Sequence, residues 1–217
     1  MQKIILILAL VTGLTGAANA QRSIRKRSQG SSGTLSYGVK VGGTLSDLVG
    51  VNATDYESIY GVHAGGFLNI TLNERLAFQP ELLYSQKGAD YTAVQPPFAP
   101  LGTTPRLHYA DIPLAFHLTA NGFFLEAGPQ IGFLVYAKDK SSASTSTTYR
   151  DNLRTTDLGY VAGLGFERKT GLGFGFRYNG SFTEVRDANV VGSTTIQPHA
   201  RNSAFQLYLT YSFNRAY

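Results

Sequence analysis

Four histidines, no cysteine and a scattering of Ser, Asp and Glu are what this 217-residue chain offers for chemistry. His63, His108, His117 and His199 form no H-x-x-x-H pair, and the lack of cysteine removes the thiolate zinc sets, so no metal site is expected. Cleavage of lipid acyl chains would need a Ser, a His and an acid meeting on one surface. His108 and Ser85 have opposite parity in their segments and would face opposite ways. Gly171-x-Gly173-x-Gly175 has the look of a phosphate loop. It lies inside an alternating segment rather than between a strand and a helix, and the dinucleotide reading therefore fails on context. What remains is a set of charges, Lys40, Glu81, Glu126 and Arg177, which share one parity and sit mid-segment among glycines and small polar residues. They read as a structural interior network. No catalytic residue and no cofactor is expected.

The elements that would hold these residues are strands. Phe205, Leu207, Leu209, Tyr211 and Phe213 alternate with Gln206, Tyr208, Thr210 and Ser212, and Tyr217 ends the sequence. One apolar and one polar face on a terminal strand rich in aromatics is the pattern of a transmembrane barrel. Seven earlier segments repeat it. Leu35, Tyr37, Val39, Val41 and Leu45 oppose Ser36, Gly38, Lys40, Gly42 and Thr44; Tyr60 to Leu72 follows, with Phe67 the exception on the polar face. Leu76, Phe78, Leu82 and Tyr84 oppose Gln79, Glu81, Ser85 and Lys87; Ile112, Leu114, Phe116 and Leu118 oppose Asp111, Ala115 and His117. Segments starting at Phe123, Leu158 and Leu172 complete the eight. Each is roughly ten residues, the length of a tilted strand crossing a bilayer.

Connections alternate between short and long. Asn73 to Arg75, Thr119 to Gly122 and Arg168 to Gly171 are tight turns, whereas 46–58, 88–106, 137–156 and 183–202 are long and polar. Outer-membrane barrels have short periplasmic turns and long surface loops. The stretch Ser141 to Thr148, nearly all Ser and Thr, is of low complexity.

The same alternation would serve a soluble barrel with its apolar face inward. The polar face decides against that, because its few charges and many glycines could not solvate an outer wall, yet they suit the filled interior of eight strands. Composition agrees: 15% of residues are charged, against about 25% in ordinary soluble domains. Met1 to Lys3, the apolar run Ile4 to Leu14 and Ala18-Asn19-Ala20 read as a signal peptide over 1–20. Residues 21–34, with Arg22, Arg25, Lys26 and Arg27, read as a disordered basic arm, and 35–217 as the barrel domain. The expected fold is an all-β, eight-stranded antiparallel up-and-down transmembrane barrel in the outer membrane.

Several ordered motifs carry a resemblance. Phe78-Gln79-Pro80-Glu81-Leu82-Leu83-Tyr84, Asp111-Ile112-Pro113-Leu114, Glu126-Ala127-Gly128-Pro129 and Arg177-Tyr178-Asn179 resemble the recurring strand motifs of the PorT-type outer-membrane β-barrel family of Bacteroidota. The likeness spans Leu35 to Phe213 and is specific as an ordered set. It implies an eight-stranded outer-membrane barrel and does not by itself imply a pore.

Three functional classes follow from this reading: a non-catalytic structural or surface-binding module acting through its loops, a narrow pore, and a lipid-modifying enzyme. The first is expected, since eight strands leave an interior filled by side chains. Tyr56, Tyr60, Tyr91, Phe98 and Tyr149 would be aromatic handles near the loops, with Tyr56 and Tyr60 serving equally as girdle residues. Expected partners are outer-membrane lipid, lipopolysaccharide included, and an envelope or extracellular partner met by the loops; no nucleic acid is expected. Arg177 should pair with Glu81 or Glu126 across the lumen, because an unpaired charge there costs several kcal/mol. Pro80, Pro113 and Pro129 fall inside strands, where a missing N–H should force bulges.

Overall fold

The structure is a computed structural model and describes residues 34–50, 56–91, 103–141, 153–185, 189–191, 194–196 and 200–213. Residues 1–20 and, apart from Thr34, the basic arm lie outside the described residues, as do His199, Phe98, Tyr149 and Tyr217. The strands are β1 (Leu35–Gly50), β2 (Tyr56–Thr71), β3 (Leu76–Tyr91), β4 (Thr103–Ala120), β5 (Phe123–Ser141), β6 (Thr156–Glu167), β7 (Leu172–Glu184), β8 (Asn189–Val191), β9 (Thr194–Ile196) and β10 (Ala200–Ser212). Eight of them close in the order β1-β10-β7-β6-β5-β4-β3-β2, and β8 pairs only with β9. Every barrel pairing is antiparallel.

Closure turns the sequence alternation into an inside and an outside. Val41, Leu164 and Leu207 are 57%, 56% and 66% exposed, while Lys40 and Arg177, on the other face, are 1% and 0% exposed. A wall that is apolar outside and polar inside satisfies its backbone only by closing, and suits a hydrocarbon surround. Phe67 does face inward, and its ring occupies the space where a Cβ on Gly38 would stand 2.4 Å away.

The eight barrel strands are longer than the roughly ten residues expected, running from 12 in β6 to 19 in β5. The hydrophobic pattern ends where the bilayer ends, but the hydrogen-bond ladder has no reason to stop there. Residues 88–91 and 103–106 of the first long stretch, and 137–141 and 156 of the second, are therefore strand. Inside this extension an apolar cluster of Leu48, Leu107, Tyr109, Leu134, Leu153 and Val185 fills the loop-side end of the barrel.

The prolines do not sit at bulges, contrary to expectation. Pro80 pairs with Leu114, Pro113 with Gln130 and Pro129 with Tyr160 in uninterrupted register. Each instead leaves a two-residue gap toward one neighbour: pairing skips from Phe67↔Glu81 to Ile70↔Phe78, from Pro80↔Leu114 to Leu83↔Asp111, and from Pro113↔Gln130 to Phe116↔Ala127. A pyrrolidine removes one donor, and a ladder held on both sides of the gap keeps its register. The register shifts lie at Ser58/His63, His108/Tyr109 and Arg201/Ser203, all toward the long connections.

At the opposite end the turns follow from their residues. Asn73 Oδ1 accepts from the backbone N–H groups of Arg75 and Leu76 at 3.0 and 2.9 Å, which ties the β2–β3 turn. Asn121 and Gly122 have φ of 52° and 87°, the left-handed pair that a two-residue hairpin needs. A Cβ on Gly122 would also stand 2.8 Å from the Phe166 ring. Gly122→Ala is expected to lower barrel stability by about 1–2 kcal/mol through backbone strain, read as an earlier urea midpoint in detergent.

Candidate functional site

Lys40, Glu81, Glu126 and Arg177 come from β1, β3, β5 and β7, one from every second strand in chain order, and converge in the lumen. Their strands place them there because all four have inward parity. Arg177 is the hub. Its Nε donates to Glu126 Oε1 at 2.8 Å, and its Nη1 and Nη2 donate to Glu81 Oε2 and Oε1 at 2.9 and 2.8 Å. Nη2 also donates to Glu126 Oε2. The planar guanidinium thus forks onto both carboxylates, an arrangement a lysine could not reproduce. Lys40 Nζ donates to Glu81 Oε1 at 2.6 Å and lies 4.1 Å from the Tyr208 ring centroid. Tyr208 in turn donates its hydroxyl to Glu126 Oε1 at 2.7 Å, and Gln79 Nε2 donates to Glu81 Oε1 at 2.9 Å. Two cations balance two carboxylates, each fully desolvated and hydrogen-bonded, which is the condition under which buried charges persist.

Glycine makes room for this layer. A Cβ on Gly175 would lie 2.4 Å from Tyr208 ring atoms, so this glycine leaves room for a large interior side chain, whereas a Cβ on Gly173 would meet Thr210 Oγ1 at 2.5 Å and Gly171, at φ 86°, belongs to the turn.

A second polar layer lies nearer the loops and was not assembled from the sequence. Lys87 Nζ is 3.0 Å from Asp111 Oδ2 and 3.9 Å from Asp157 Oδ2. Thr183 Oγ1 and Asn202 Nδ2 donate to Asp157 at 2.9 and 3.0 Å, and Ser181 Oγ donates to it as well. Asn202 Nδ2 also reaches the Tyr109 hydroxyl at 3.2 Å. Lys87 and Asp111 were legible as inward residues. Asp157 shares parity with Gly159 and Gly163, but it borders a polar stretch that reads as loop.

One nitrogen of His117 and one oxygen from each of Glu81 and Glu126 lie within 4.8 Å of one another. Those glutamates already accept from Arg177 and Lys40, so a metal ion would meet two resident cations and a balanced charge. The donor set does not fit a metal. Ser85 is fully buried and faces inward. His108 is on the outer wall, where its Nδ1 is 2.6 Å from the Tyr84 hydroxyl. The two cannot form a nucleophile–base pair, because the barrel wall separates them. His63 Nδ1 is 2.9 Å from Thr44 Oγ1, inside the lumen.

Comparison with known proteins bears on the barrel as a whole. No curated protein matches the chain in sequence. Among solved structures, Neisserial surface protein A aligns with a TM-score of 0.52 at 12% identity, covering 83% of this chain and 99% of that one. Ail, the attachment invasion locus protein of Yersinia pestis, solved with the heparin analogue sucrose octasulfate, aligns at 0.47 and 14% identity over 82% and 99%. The barrel domain of Pseudomonas aeruginosa OprF aligns at 0.35 and 13% identity over 81% and 97%. At such identities the first of these shares the fold, and the others add nothing further. Residues 19–187 match the family described as outer membrane protein beta-barrel domain. That match covers most of a chain whose wall is apolar outside and charged within, and the chain belongs to the outer membrane protein beta-barrel domain family.

Proposed function

We propose that this protein is a non-catalytic outer-membrane barrel of the PorT type, plugged by its own side chains and acting through the connections that follow β1, β3, β5 and β7. Residues 1–20 are its signal peptide in this reading, so that the extracted protein starts at Gln21 when its N-terminus is sequenced. The observation that carries the proposal is the stacking of the lumen: the Arg177 layer, the Lys87 layer and the apolar cluster around Tyr109 follow one another along the barrel. An ion would have to displace desolvated, hydrogen-bonded charges and then pass a dry cap. The function left to such a scaffold is display of its loops to an envelope or extracellular partner.

Purified protein reconstituted in planar bilayers is expected to show no unitary conductance, and removal of residues 141–148 is expected to leave folding intact while changing surface binding. A stable single-channel current would replace this reading with the narrow pore. Folding lost with the loop segment would make that segment part of the scaffold. For the enzyme reading, the mass of lipid A from membranes with and without the protein should be the same; loss of an acyl chain would decide for catalysis.

A further inference from the structure

At its loop-side border the outer wall carries one cluster that the plug and the loops do not use. Tyr84 on β3, His108 on β4 and Tyr136 on β5 stand side by side, with His108 ring centroids 5.8 Å from Tyr84 and 5.6 Å from Tyr136. Gln86 Nε2 donates to the Tyr84 hydroxyl at 3.2 Å. Two residues nearer the loops on the same face of β4 is Arg106, ~7 Å along the strand by the strand rise.

The β4–β5 register shift at His108/Tyr109 is what assembles the cluster. His108 pairs with Tyr136 but Tyr109 pairs with Leu134, so Val135 is extra. Val135 and Tyr136 are consequently both exposed, at 55% and 39%. The bulge turns Tyr136 out to reach His108, and bulges recur where a side chain has to be re-aimed.

Arg106 is the second observation. It is half-buried, its Nε is enclosed, and that N–H has no hydrogen-bond acceptor among the described residues. Backbone register sets Lys138 across from Arg106 and Lys140 across from Thr104. Below His108 the same face runs through Ala110, Ile112, Leu114, Phe116 and Leu118, which places the cluster at the edge of the apolar belt. Long connections of such barrels lie on the cell surface, and the head groups of the outer leaflet meet the wall at this height.

A guanidinium N–H without an acceptor among the described residues, two residues along the same face of β4 from an imidazole that stands between two phenols, calls for an anion with several oxygens. Phosphate fits best, since arginine forks onto it. We propose that Arg106, His108 and Tyr84 form a wall site for the phosphate of an outer-leaflet lipid, with Tyr136 packing on its acyl or sugar portion. The site is independent of the loops and of any partner they meet.

The test is lipid retention by the full-length protein, purified from nanodiscs of phosphatidylcholine doped with lipid A or with dephosphorylated lipid A, and read by native mass spectrometry. Wild type is expected to retain lipid A about tenfold more than its dephosphorylated form, a difference of about 1.4 kcal/mol. Arg106→Gln with His108→Gln should abolish the preference. Arg201→Gln, an exposed cation on β10 at the opposite wall, should keep it. Heat-modifiable gel mobility checks that each variant is folded, and Arg106→Lys is the fallback if Arg106→Gln is not. Equal retention of both lipids by wild type, or an undiminished preference in the Arg106 and His108 variants, would overturn the site. Equal loss in Arg201→Gln would replace it with diffuse attraction of a basic rim. Displacement of lipid A by millimolar inorganic phosphate would make a free anion the ligand and overturn the lipid assignment.

Discussion

Arg177→Met should cost the folded barrel about 3–5 kcal/mol, the range for removing one partner from a buried ion network. The loss does not come from the missing contacts alone. Glu81 and Glu126 are 3% exposed each, and without Arg177 two carboxylates would be left with Lys40 on Glu81 and the His117 ring, 3.2 Å from Glu126. Urea unfolding in detergent micelles, followed by tryptic protection or by gel mobility, would show the shift. Replacing the whole set, Arg177→Met with Lys40→Met, Glu81→Gln and Glu126→Gln, should restore most of the stability, because no charge is then stranded. Wild-type stability in Arg177→Met alone would mean that the carboxylates reach water, and the plug reading would fall with it. Conductance of the single variant is a second readout, since a carboxylate-lined gap can hydrate.

Gly65→Val is expected to abolish folding, while Gly66→Val leaves the barrel nearly unchanged. The two positions are adjacent and chemically identical. A Cβ on Gly65 would stand 2.0 Å from the Leu82 carbonyl oxygen and 2.8 Å from the Leu83 Cα, both backbone atoms of the neighbouring strand. Backbone in a closed ladder cannot yield without breaking pairs on both sides, and overpacking of this kind exceeds the usual ~1–3 kcal/mol. A Cβ on Gly66 meets only the Gly38 carbonyl oxygen at 3.5 Å, an ordinary contact. Its parity is that of the lipid face, where a branched apolar side chain is at home. Heat-modifiable mobility after refolding into detergent separates the outcomes: two bands for Gly66→Val, only the unfolded band for Gly65→Val. A folded Gly65→Val protein would show that β2 and β3 are less tightly coiled at this point.

Much of the barrel was legible because its physics is local. Side chains alternate across a strand with period two, so Leu207, Leu209 and Tyr211 declared one face and Gln206, Tyr208 and Thr210 the other before any partner strand was known. Short and long connections were equally local, since Asn121-Gly122 can make a two-residue turn from its own backbone preferences. The scarcity of charge on the polar face was enough to say which side is inside. Parity also put Lys40, Glu81, Glu126 and Arg177 on that side.

Other features had no local signature. Strand ends beyond the bilayer depend on pairing, because stretches such as 88–91 and 103–106 show no apolar–polar alternation yet complete a ladder once neighbours are present. Whether a proline bulges or merely leaves a gap is decided by the strands around it, and here held register on both sides kept Pro80, Pro113 and Pro129 in line. Pairing with β4 exposed the extra residue Val135 and so turned Tyr136 toward His108. The polar layer joins Lys87 and Asp111, on the paired strands β3 and β4, to Asp157 on β6, which reaches them only across the closed lumen. The faces, the turns and the inward charges follow from the chain read locally, since each depends on a residue and its near neighbours. Which charge meets which, where the ladder ends and what the outer wall gathers at its rim were decided by the tertiary structure, since those depend on distances that only a closed barrel sets.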